Sequence, residues 1–361
     1  MPVGLYIHIP FCRSKCPYCD FYSVEPSQGI IDRYADCICS QLKEYSGRRF
    51  DTVYFGGGTP SLAGADNIAK MLRCVSICGN PEITVECNPS DCGDGGFDFE
   101  KAAKAGVNRI SFGLQSAADS ERKALGRRAG AQDVLNAVKR AQSAGIDNIS
   151  LDLMLGIPGQ NEESLKRSVD FCFSAGAKHI SAYILKIEEG THFYKIKNKL
   201  ALPDEDETAD LYLKCAELIK AGGMKQYEIS NFAFQGFESR HNLKYWHCEE
   251  YLGLGPASHS FVDGKRFYYG RSLEEYMKNP QAVSDGDGGS FEEYAMLALR
   301  LTEGLQNRKV QERFGFDIPA AIFEKAKKFE QSGLVKIGSD SISLTAKGFL
   351  LSNTIIGELI I

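Results

Sequence analysis

The chain has 361 residues, of which 43% are hydrophobic and 25% are charged, and its formal net charge is −5. This composition is ordinary for a soluble globular protein, and the acidic balance gives no general attraction to nucleic acid or to anionic lipid. The start MPVGLYIHIP lacks the features of a signal peptide, and no stretch approaches the about 20 apolar residues of a membrane span, so we expect a cytoplasmic protein that is not itself a membrane protein.

Short β-rich runs alternate with amphipathic segments along roughly the first 220 residues. The predicted strands cover 5–9, 52–55, 83–87, 109–113, 149–154 and 179–184. The predicted helices cover 29–45, 64–76, 97–105, 131–144, 161–175 and 205–221, and several of them end at glycine, in KAG, SAG and KAGG. Six βα units in series predict parallel strands with crossover helices, and we expect strands that are apolar at nearly every position because helices cover the sheet.

This pattern is compatible with a doubly wound α/β sheet or with a barrel, and we favour an incomplete (β/α)6 TIM-like barrel. The reason is that polar residues stand at or just after many of the strand ends, and barrels gather their chemistry on that rim. These residues are the first three cysteines, Gly56 to Thr59, Glu86, Gln115 and Asp152.

After about residue 223 the chain becomes aromatic and loop-rich, and residues 291–333 then read as helical. A hairpin is predicted around Gly338–Ser341, and the order of helices followed by a hairpin resembles a winged helix. We therefore predict a core barrel over 1–235, a connecting region over 236–290 and a smaller, mainly helical, winged-helix-like domain over 291–361. Because the chain is acidic, we favour a packing or lid role for that last domain over DNA binding.

Cys12, Cys16 and Cys19 stand in IHIPFCRSKCPYCDF with the spacing C-x3-C-x2-C. They are too crowded to pair sensibly among themselves, and in a reducing compartment such spacing indicates a metal or catalytic site rather than disulfides. A structural zinc site needs four ligands, and His8 or a distant cysteine would have to complete it. A 4Fe-4S cluster held by three cysteines instead leaves one iron free to bind something else.

Several other residues could bind a ligand beside these cysteines. The glycines of YFGGGTPS (54–61) follow a strand directly, where backbone N–H groups can approach a ligand, although a plain tight turn explains them equally well. Glu86, Gln115 and Asp152 offer groups suited to an ammonium group and a ribose. Arg127 in ALGRRAG suits a carboxylate, with a solvated charge at a helix end as the alternative.

The cysteine loop and the GGGTP turn together resemble the radical S-adenosylmethionine (SAM) superfamily over roughly residues 1–235. The resemblance implies a 4Fe-4S cluster on Cys12, Cys16 and Cys19, whose open iron is chelated by the amino and carboxylate groups of SAM. It also implies that the reduced cluster cleaves SAM to methionine and a 5′-deoxyadenosyl radical. When the family motifs are matched to this sequence position by position, the resemblance implies that nine residues lie beside the cluster or SAM. These residues are Tyr6, Tyr18, Gly57, Gly58, Thr59, Glu86, Gln115, Arg127 and Asp152.

More narrowly, YIHIPFC, GGGTP, VECNP, RISFGLQS and LDLMLGIPGQ resemble the oxygen-independent coproporphyrinogen III oxidase branch over essentially the whole chain. The oxidases carry a further cysteine two positions after the loop, where this chain has Phe21. This departure is similar to the HemW-type haem chaperones, which also carry a motif H-N-x-x-Y-W, present here as HNLKYW at 241–246. The resemblance therefore implies that His241 contributes to haem binding.

The residues around His241 are compatible with that role. A neutral imidazole is a standard axial ligand of haem iron, and Tyr245 and Trp246 offer flat apolar surface for a porphyrin. A lone histidine among aromatic residues is, however, more often structural, and His247 and His259 are nearby competitors.

Three functions stay open at this point. The leading hypothesis is a radical-SAM-type haem chaperone that binds a 4Fe-4S cluster, SAM and haem, has no nucleic acid partner, and delivers haem to membrane haemoproteins. The alternative is an oxygen-independent coproporphyrinogen III oxidase, which Phe21 and HNLKYW disfavour. The third is a zinc-stabilised module that binds nucleic acid. Analogy with the family also suggests a homodimer linked by haem.

Overall fold

A computed structural model describes residues 2–360 of the chain. Its centre is a run of six parallel strands that lie side by side in chain order. The strands are β1 (Val3–Ile9), β2 (Phe50–Gly57), β3 (Ile77–Cys87), β4 (Arg109–Gln115), β5 (Asn148–Leu155) and β6 (His179–Ile184). The helices between and after them are α1 (Ile30–Glu44), α2 (Gly64–Leu72), α3 (Phe99–Lys104), α4 (Asp119–Ala124), α5 (Ala131–Ser143), α6 (Glu162–Ser174), α7 (His192–Ile196) and α8 (Glu205–Ala221).

Three of the predicted helix stops are marked by glycines with positive φ. Gly106, Gly145 and Gly176 follow α3, α5 and α6 with φ angles of 105°, 86° and 80°. After α8, the second glycine of KAGG, Gly223, has a φ of 95°. An L-residue is strained in this region, so these glycines let the chain turn from each helix towards the next strand.

The parallel strands alternate between an apolar and a polar face. In β1, Leu5, Ile7 and Ile9 are fully buried in the core shared with the helices, while Tyr6 and His8 alternate with them. The polar positions of the strands are Tyr6, His8, Thr52, Tyr54, Thr84, Glu86, Arg109, Ser111, Ser150, Asp152, His179 and Ser181. The prediction that the strands are apolar at nearly every position is therefore wrong, because only one face packs against helices and the other lines the barrel interior.

The chain continues with β7 (Lys225–Gln226), β8 (Asn231–Ala233), α9 (Arg240–Trp246), β9 (Tyr251–Leu254), β10 (His259–Val262), β11 (Lys265–Tyr269), α10 (Leu273–Lys278) and β12 (Ala282–Asp287). The barrel is open because its edge strands, β1 and β6, pair with β9 and β8 and not with each other. The sheet has 12 strands in the order β12-β11-β10-β9-β1-β2-β3-β4-β5-β6-β8-β7. This arrangement confirms the predicted α/β fold with an incomplete six-unit barrel.

The same sheet shows that the stretch after residue 223, which we expected to be loop-rich, supplies six further short strands. The predicted boundary between residues 235 and 236 falls between β8 and β9, which both belong to this sheet. The division into three domains stays a prediction.

The C-terminal part is mainly helical, as predicted. Its elements are α11 (Phe291–Ala298), β13 (Leu305–Gln306), α12 (Asn307–Phe314), α13 (Ala320–Gln331), β14 (Val335–Ile337), β15 (Ser341–Leu344), α14 (Ala346–Leu350) and α15 (Ser352–Ile360). The three strands form a separate antiparallel sheet, in which β14 and β15 make the predicted hairpin. Gly338 N donates to Ser341 O at 2.8 Å across its turn. Across residues 2–360, none of the helices combines the length and apolarity that crossing a membrane would require.

Candidate functional site

The C-terminal ends of the parallel strands open into a cavity of about 500 Å³, which we call the mouth cavity. This volume lies in the range of about 300–1,000 Å³ that is usual for small-molecule sites. The predicted site residues that line it are Cys12, Cys16, Tyr18, Cys19, Gly57, Gly58, Thr59, Glu86, Gln115, Arg127 and Asp152. The fold thus gathers residues from the cysteine loop, four strand ends and the segment after α4, while Tyr6 and His241 are not part of the lining.

The cysteine loop (residues 10–24) is closed on itself by backbone hydrogen bonds. Val24 N donates to Pro10 O at 2.7 Å, and Cys12 N donates to Val24 O at 3.0 Å. Within the loop, Cys19 N donates to Cys16 O at 3.1 Å and closes a turn. The loop therefore leaves β1, presents three half-buried cysteines to the mouth cavity and returns to its own start.

The three thiols lie in a setting that favours a bound cationic centre. Cys12 Sγ is 3.4 Å from Thr59 Oγ1, and Arg127 Nη1 donates to Cys16 Sγ at 3.8 Å. Burial raises the pKa of the Cys19 thiol, and the neighbouring Cys16 and Cys12 raise it further. Because metal binding requires thiolates, iron bound here would relieve the mutual repulsion of these groups.

Three half-buried thiols that face one cavity fit an iron–sulfur cluster, whose usual protein ligands are thiolates. Among residues 2–360, no group of three or more His, Cys, Asp or Glu side chains is placed to hold a single metal ion. A 4Fe-4S cluster places each thiolate on a different iron, so the sulfurs need only face the same space. His8, considered as a fourth zinc ligand, has Nδ1 3.0 Å from Tyr6 OH and Nε2 3.0 Å from Tyr22 O.

The glycine turn after β2 is held tightly against the cysteine loop. Gly58 N donates to Ile9 O, and Thr59 N donates to Phe11 O, both at 2.8 Å. A Cβ on Gly58 would lie 2.7 Å from Phe11 O, and Gly57 has a φ of 109°. The N–H groups of Gly58 and Thr59 are therefore used within the protein, and the glycines allow the turn to pack this closely.

Two carboxyl groups face the mouth cavity from the ends of β3 and β5. Glu86 accepts hydrogen bonds from Tyr54 OH at 2.7 Å and from Gly57 N at 3.2 Å. Burial raises the pKa of Glu86 to about 7, although the Tyr54 hydrogen bond opposes the rise. Burial also raises the pKa of Asp152, whose Oδ1 accepts from Ser111 Oγ at 3.1 Å. Both carboxylates would gain from a bound cation such as an ammonium group.

Arg127 and Gln115 form another wall of the mouth cavity. Arg127 is half-buried there, and its Nη2 donates to Gly113 O at 2.9 Å, so it is not the solvated helix-end charge that was the alternative. Gln115 has a φ of 65°, at an irregular point of the pairing between β4 and β5. A non-glycine residue in this conformation costs about 1–3 kcal/mol and is found most often at functional sites.

The mouth cavity also contains residues that the sequence analysis missed. Arg109 at the start of β4 is 2% exposed, and its Nε has no hydrogen-bond partner among residues 2–360. Tyr183 and Ser181 line the cavity from β6, and Asn242 lines it from α9. The signal for the residues on the strands was the alternation of polar and apolar positions in RISFG and HISAYI.

His241 lies behind the mouth cavity and is 1% exposed. Its Nδ1 is 2.8 Å from Thr52 Oγ1, its Nε2 is 2.8 Å from Tyr245 OH, and its ring stacks on Tyr54 with centroids 5.3 Å apart. Burial lowers the pKa of His241 to about 3, so the imidazole is neutral. Haem ligation by His241 would require one of these hydrogen bonds to break, and this role stays a prediction.

Tyr6 is the last residue of the predicted set, and Phe21 is the position at which the chain departs from the oxidase pattern. Tyr6 stacks on Tyr54 with ring centroids 6.2 Å apart, so it lies one side chain away from Glu86 rather than at the cavity wall. Phe21, at the position where the oxidase pattern has a cysteine, is 63% exposed and lines the opening of the cavity.

Comparisons with known proteins agree with this architecture. A family model described as the radical SAM superfamily matches residues 6–172, and one described as the HemN C-terminal domain matches residues 291–351. The structure of coproporphyrinogen III oxidase (HemN) from Escherichia coli, a radical SAM enzyme, is similar with a TM-score of 0.84 and 18% identity, covering 99% of this chain and 90% of that one. At this identity the likeness shows the fold.

Relatives at higher identity show the family. Heme chaperone HemW of Bacillus subtilis is 32% identical over 373 residues, covering 98% of this chain and 97% of the relative. Heme chaperone HemW of Mycobacterium tuberculosis (strain H37Rv) is 33% identical over 376 residues, covering 99% and 95%. The chain therefore belongs to the radical SAM superfamily and, within it, to the family of these HemW relatives.

Proposed function

We propose that this chain is a haem chaperone that binds a 4Fe-4S cluster, SAM and haem, and delivers haem to a membrane haemoprotein. The observation that carries the proposal is the similarity to HemW relatives over nearly the whole chain, at 32% identity in the Bacillus subtilis case. The mouth cavity supports it, because one space contains the three cysteines and the residues implied to bind SAM. The membrane acceptor, the cytoplasmic location and a haem-linked homodimer stay predictions.

In this proposal, the cluster and SAM share the mouth cavity. Cys12, Cys16 and Cys19 would hold the cluster. Glu86 would accept the ammonium group of SAM, since a bound cation offsets the cost of ionising this buried carboxyl. Arg127, which Gly113 O already orients, would pair with the carboxylate of SAM.

Asp152 and Gln115 would hold the ribose of SAM through hydrogen bonds to its hydroxyls. Bound together, the cluster and SAM supply one-electron chemistry, and we assign that chemistry a regulatory or assembly role. The protein itself orients SAM and keeps the site partly closed to water, with Phe21 at the opening.

The oxidase alternative has less support. The similarity to the Escherichia coli oxidase structure, at 18% identity, concerns the fold. Phe21 stands where the oxidase pattern has a cysteine, and its exposed ring changes the surface beside the cysteine loop.

The test is an anaerobic experiment with two arms on the reconstituted full chain. In the first arm, haem-loaded protein is mixed with membranes that contain a haem-free cytochrome, and we expect haem to move to the cytochrome. In the second arm, the protein receives SAM, a reductant, an electron acceptor and coproporphyrinogen III, and we expect no decarboxylated product by chromatography. Multiple turnovers in the second arm would replace the chaperone proposal by the oxidase.

A further inference from the structure

The deepest part of the mouth cavity is lined by Arg109 and Asn242, and we call this part the cavity floor. Arg109 is the first residue of β4, and Gly113, whose carbonyl orients Arg127, lies four residues further along the same strand. The backbones of Arg109 and Gly113 are therefore about 13 Å apart along the strand. Asn242 reaches the cavity from α9, which is attached to the base of the barrel.

Arg109 differs from the other buried arginine of residues 2–360 in its partners. Arg122, which is 3% exposed, forms an ion pair with Asp119 and donates from Nη1 to Ser116 O at 2.6 Å. Arg109 is 2% exposed, and within the same residues its Nε has no hydrogen-bond partner and no carboxylate pairs with its guanidinium. A buried charge without a partner is costly, so we expect a partner to reach Arg109 from the mouth cavity.

The neighbours of Arg109 in the sheet also have unused hydrogen-bonding capacity. Its register partners are Thr84 on β3 and Asn148 on β5. The Thr84 hydroxyl and Oδ1 of Asn148 are buried and find no hydrogen-bond partner in the described part of the chain, residues 2–360. Alternate residues of a strand share a face, so Thr84 lies on the face of Glu86 and Asn148 on that of Asp152. A hydroxyl and an amide can both donate to an anion beside Arg109.

The carboxyl groups of the mouth cavity leave the charge of Arg109 without a contact partner. Glu86 is engaged by Tyr54 OH, and Asp152 accepts from Ser111 Oγ. Burial raises the pKa of both carboxyl groups, and the charge of Arg109 opposes the rise from a distance. In the proposed function, the carboxylate of SAM pairs with Arg127. SAM then has no anionic group left for Arg109.

We propose that the cavity floor is a second ligand subsite, in which Arg109 and Asn242 bind the carboxylate of a small molecule that the chain holds together with SAM. A guanidinium pairs with a carboxylate through charge-assisted hydrogen bonds. The Asn242 amide can add a donor, because its side chain forms no hydrogen bond with residues 2–360, and the backbone N–H of Asn242 alone donates to the helix cap at Ser239. The proposal goes beyond the haem-chaperone function, since it gives the mouth cavity an anionic ligand besides SAM.

The test uses sodium acetate as the probe, with its binding to the reconstituted full chain measured by saturation-transfer NMR without air. The titration is made at constant ionic strength, with SAM and without it. Acetamide, a neutral molecule of similar shape, separates the charge from the shape of the probe. We expect saturable acetate binding under both conditions and at least about tenfold weaker binding of acetamide, because only acetate can form the charged pair.

The variants are Arg109→Met and Asn242→Leu, and the control is Arg167→Met, at an exposed arginine of α6 that pairs with Glu163. Arg109→Met should fold, because it replaces a buried unpaired charge by an apolar side chain. We expect it to weaken acetate binding at least about tenfold and Asn242→Leu to weaken it about fivefold, while the control binds like the unmodified chain.

Three results would overturn the subsite. The first is equal acetate binding in Arg109→Met and the control, which would leave water as the partner of Arg109. The second is loss of acetate binding when SAM is added. The third is a loss of SAM affinity in Arg109→Met as large as in Arg127→Met, which would assign Arg109 to the carboxylate of SAM itself. Failure of the unmodified chain to bind SAM or haem would instead overturn the proposed function, and acetate binding that depends on Arg109 would stand.

Discussion

At the base of the barrel, His179 and His241 have both ring nitrogens paired with the protein itself. His179 has Nδ1 2.8 Å from Ser150 Oγ and Nε2 2.8 Å from Tyr227 OH, and both ring nitrogens of His241 are engaged in the same way. Glu82 accepts the backbone N–H of His241 at 3.0 Å. These contacts attach α9 and the strand starts to one another.

At the mouth of the barrel, the same kinds of residue face open space. Glu86 and Asp152 have raised pKa values from burial, Arg127 reaches across towards Cys16, and three thiols share one cavity. Inside this barrel, a polar residue that borders the mouth cavity is therefore a candidate for ligand binding, and one whose polar atoms are all paired with protein groups is structural.

The largest expected effect comes from removing one cluster ligand. We expect Cys16→Ser to lose the cluster and with it SAM binding, while cooperative unfolding survives because Cys16 is not part of the apolar core of the barrel. Iron and sulfide analysis with thermal unfolding measures both. Cys37→Ser, at a half-buried cysteine on α1 outside the mouth cavity, is the control and should keep the cluster. A full cluster in Cys16→Ser would remove that residue from the site.

The next largest effect is on stability and concerns Glu228, a buried residue that does not line the mouth cavity. Glu228 is 0% exposed, and burial raises its pKa from 4.5 to about 7. Because the folded pKa lies above the unfolded one, the protonated group supports folding at low pH, and this contribution is lost as pH rises from about 4.5 to 7. We therefore expect Glu228→Gln to be more stable than the unmodified chain at pH 8, by up to about 3 kcal/mol, and not at pH 4.5. Denaturant unfolding at both pH values measures this, and an equal difference at both would contradict the assignment.

A smaller loss of stability should follow from changing His241. We expect His241→Ala to lower the free energy of unfolding by about 2 kcal/mol, since Thr52 and Tyr245 lose a buried partner. Thr52→Val breaks one of the same hydrogen bonds and keeps the imidazole. If His241 is the haem ligand, haem affinity falls in His241→Ala and not in Thr52→Val, whereas a purely structural His241 leaves haem affinity unchanged in both variants.

The smallest expected effect is a pH dependence of SAM binding. The carboxyl of Glu86 ionises near its raised pKa of about 7, and only the carboxylate attracts the ammonium group of SAM. We expect the SAM affinity of the unmodified chain to rise about tenfold from pH 6 to pH 8, and that of Glu86→Gln to be low and flat across the same range. Anaerobic equilibrium dialysis measures both. The same slope in Glu86→Gln would assign the titration to another group.

Local patterns predicted most of the barrel and the residues of its mouth. The strand–helix alternation indicated parallel order, and parallel strands bring residues such as Glu86 and Asp152 to one edge without knowledge of the full structure. The resemblance to a known family then supplied the implied roles of these residues.

The missed features depend on distant contacts. The six strands that the stretch after residue 223 adds to the 12-stranded sheet are two to six residues long, too short for a clear periodic signal. The lack of a hydrogen-bond partner for Arg109 Nε among residues 2–360, and the hydrogen bond between His241 and Thr52, are set by side chains from other elements.

The most direct test of the contrast between mouth and base is a side-by-side measurement of SAM affinity in Arg127→Met and His241→Ala, both reconstituted without air. We expect Arg127→Met to lose at least tenfold in SAM affinity, because the guanidinium that pairs with the SAM carboxylate is gone, and His241→Ala to bind SAM like the unmodified chain. An equal loss in the two variants would contradict the separation of a ligand-binding mouth from a structural base.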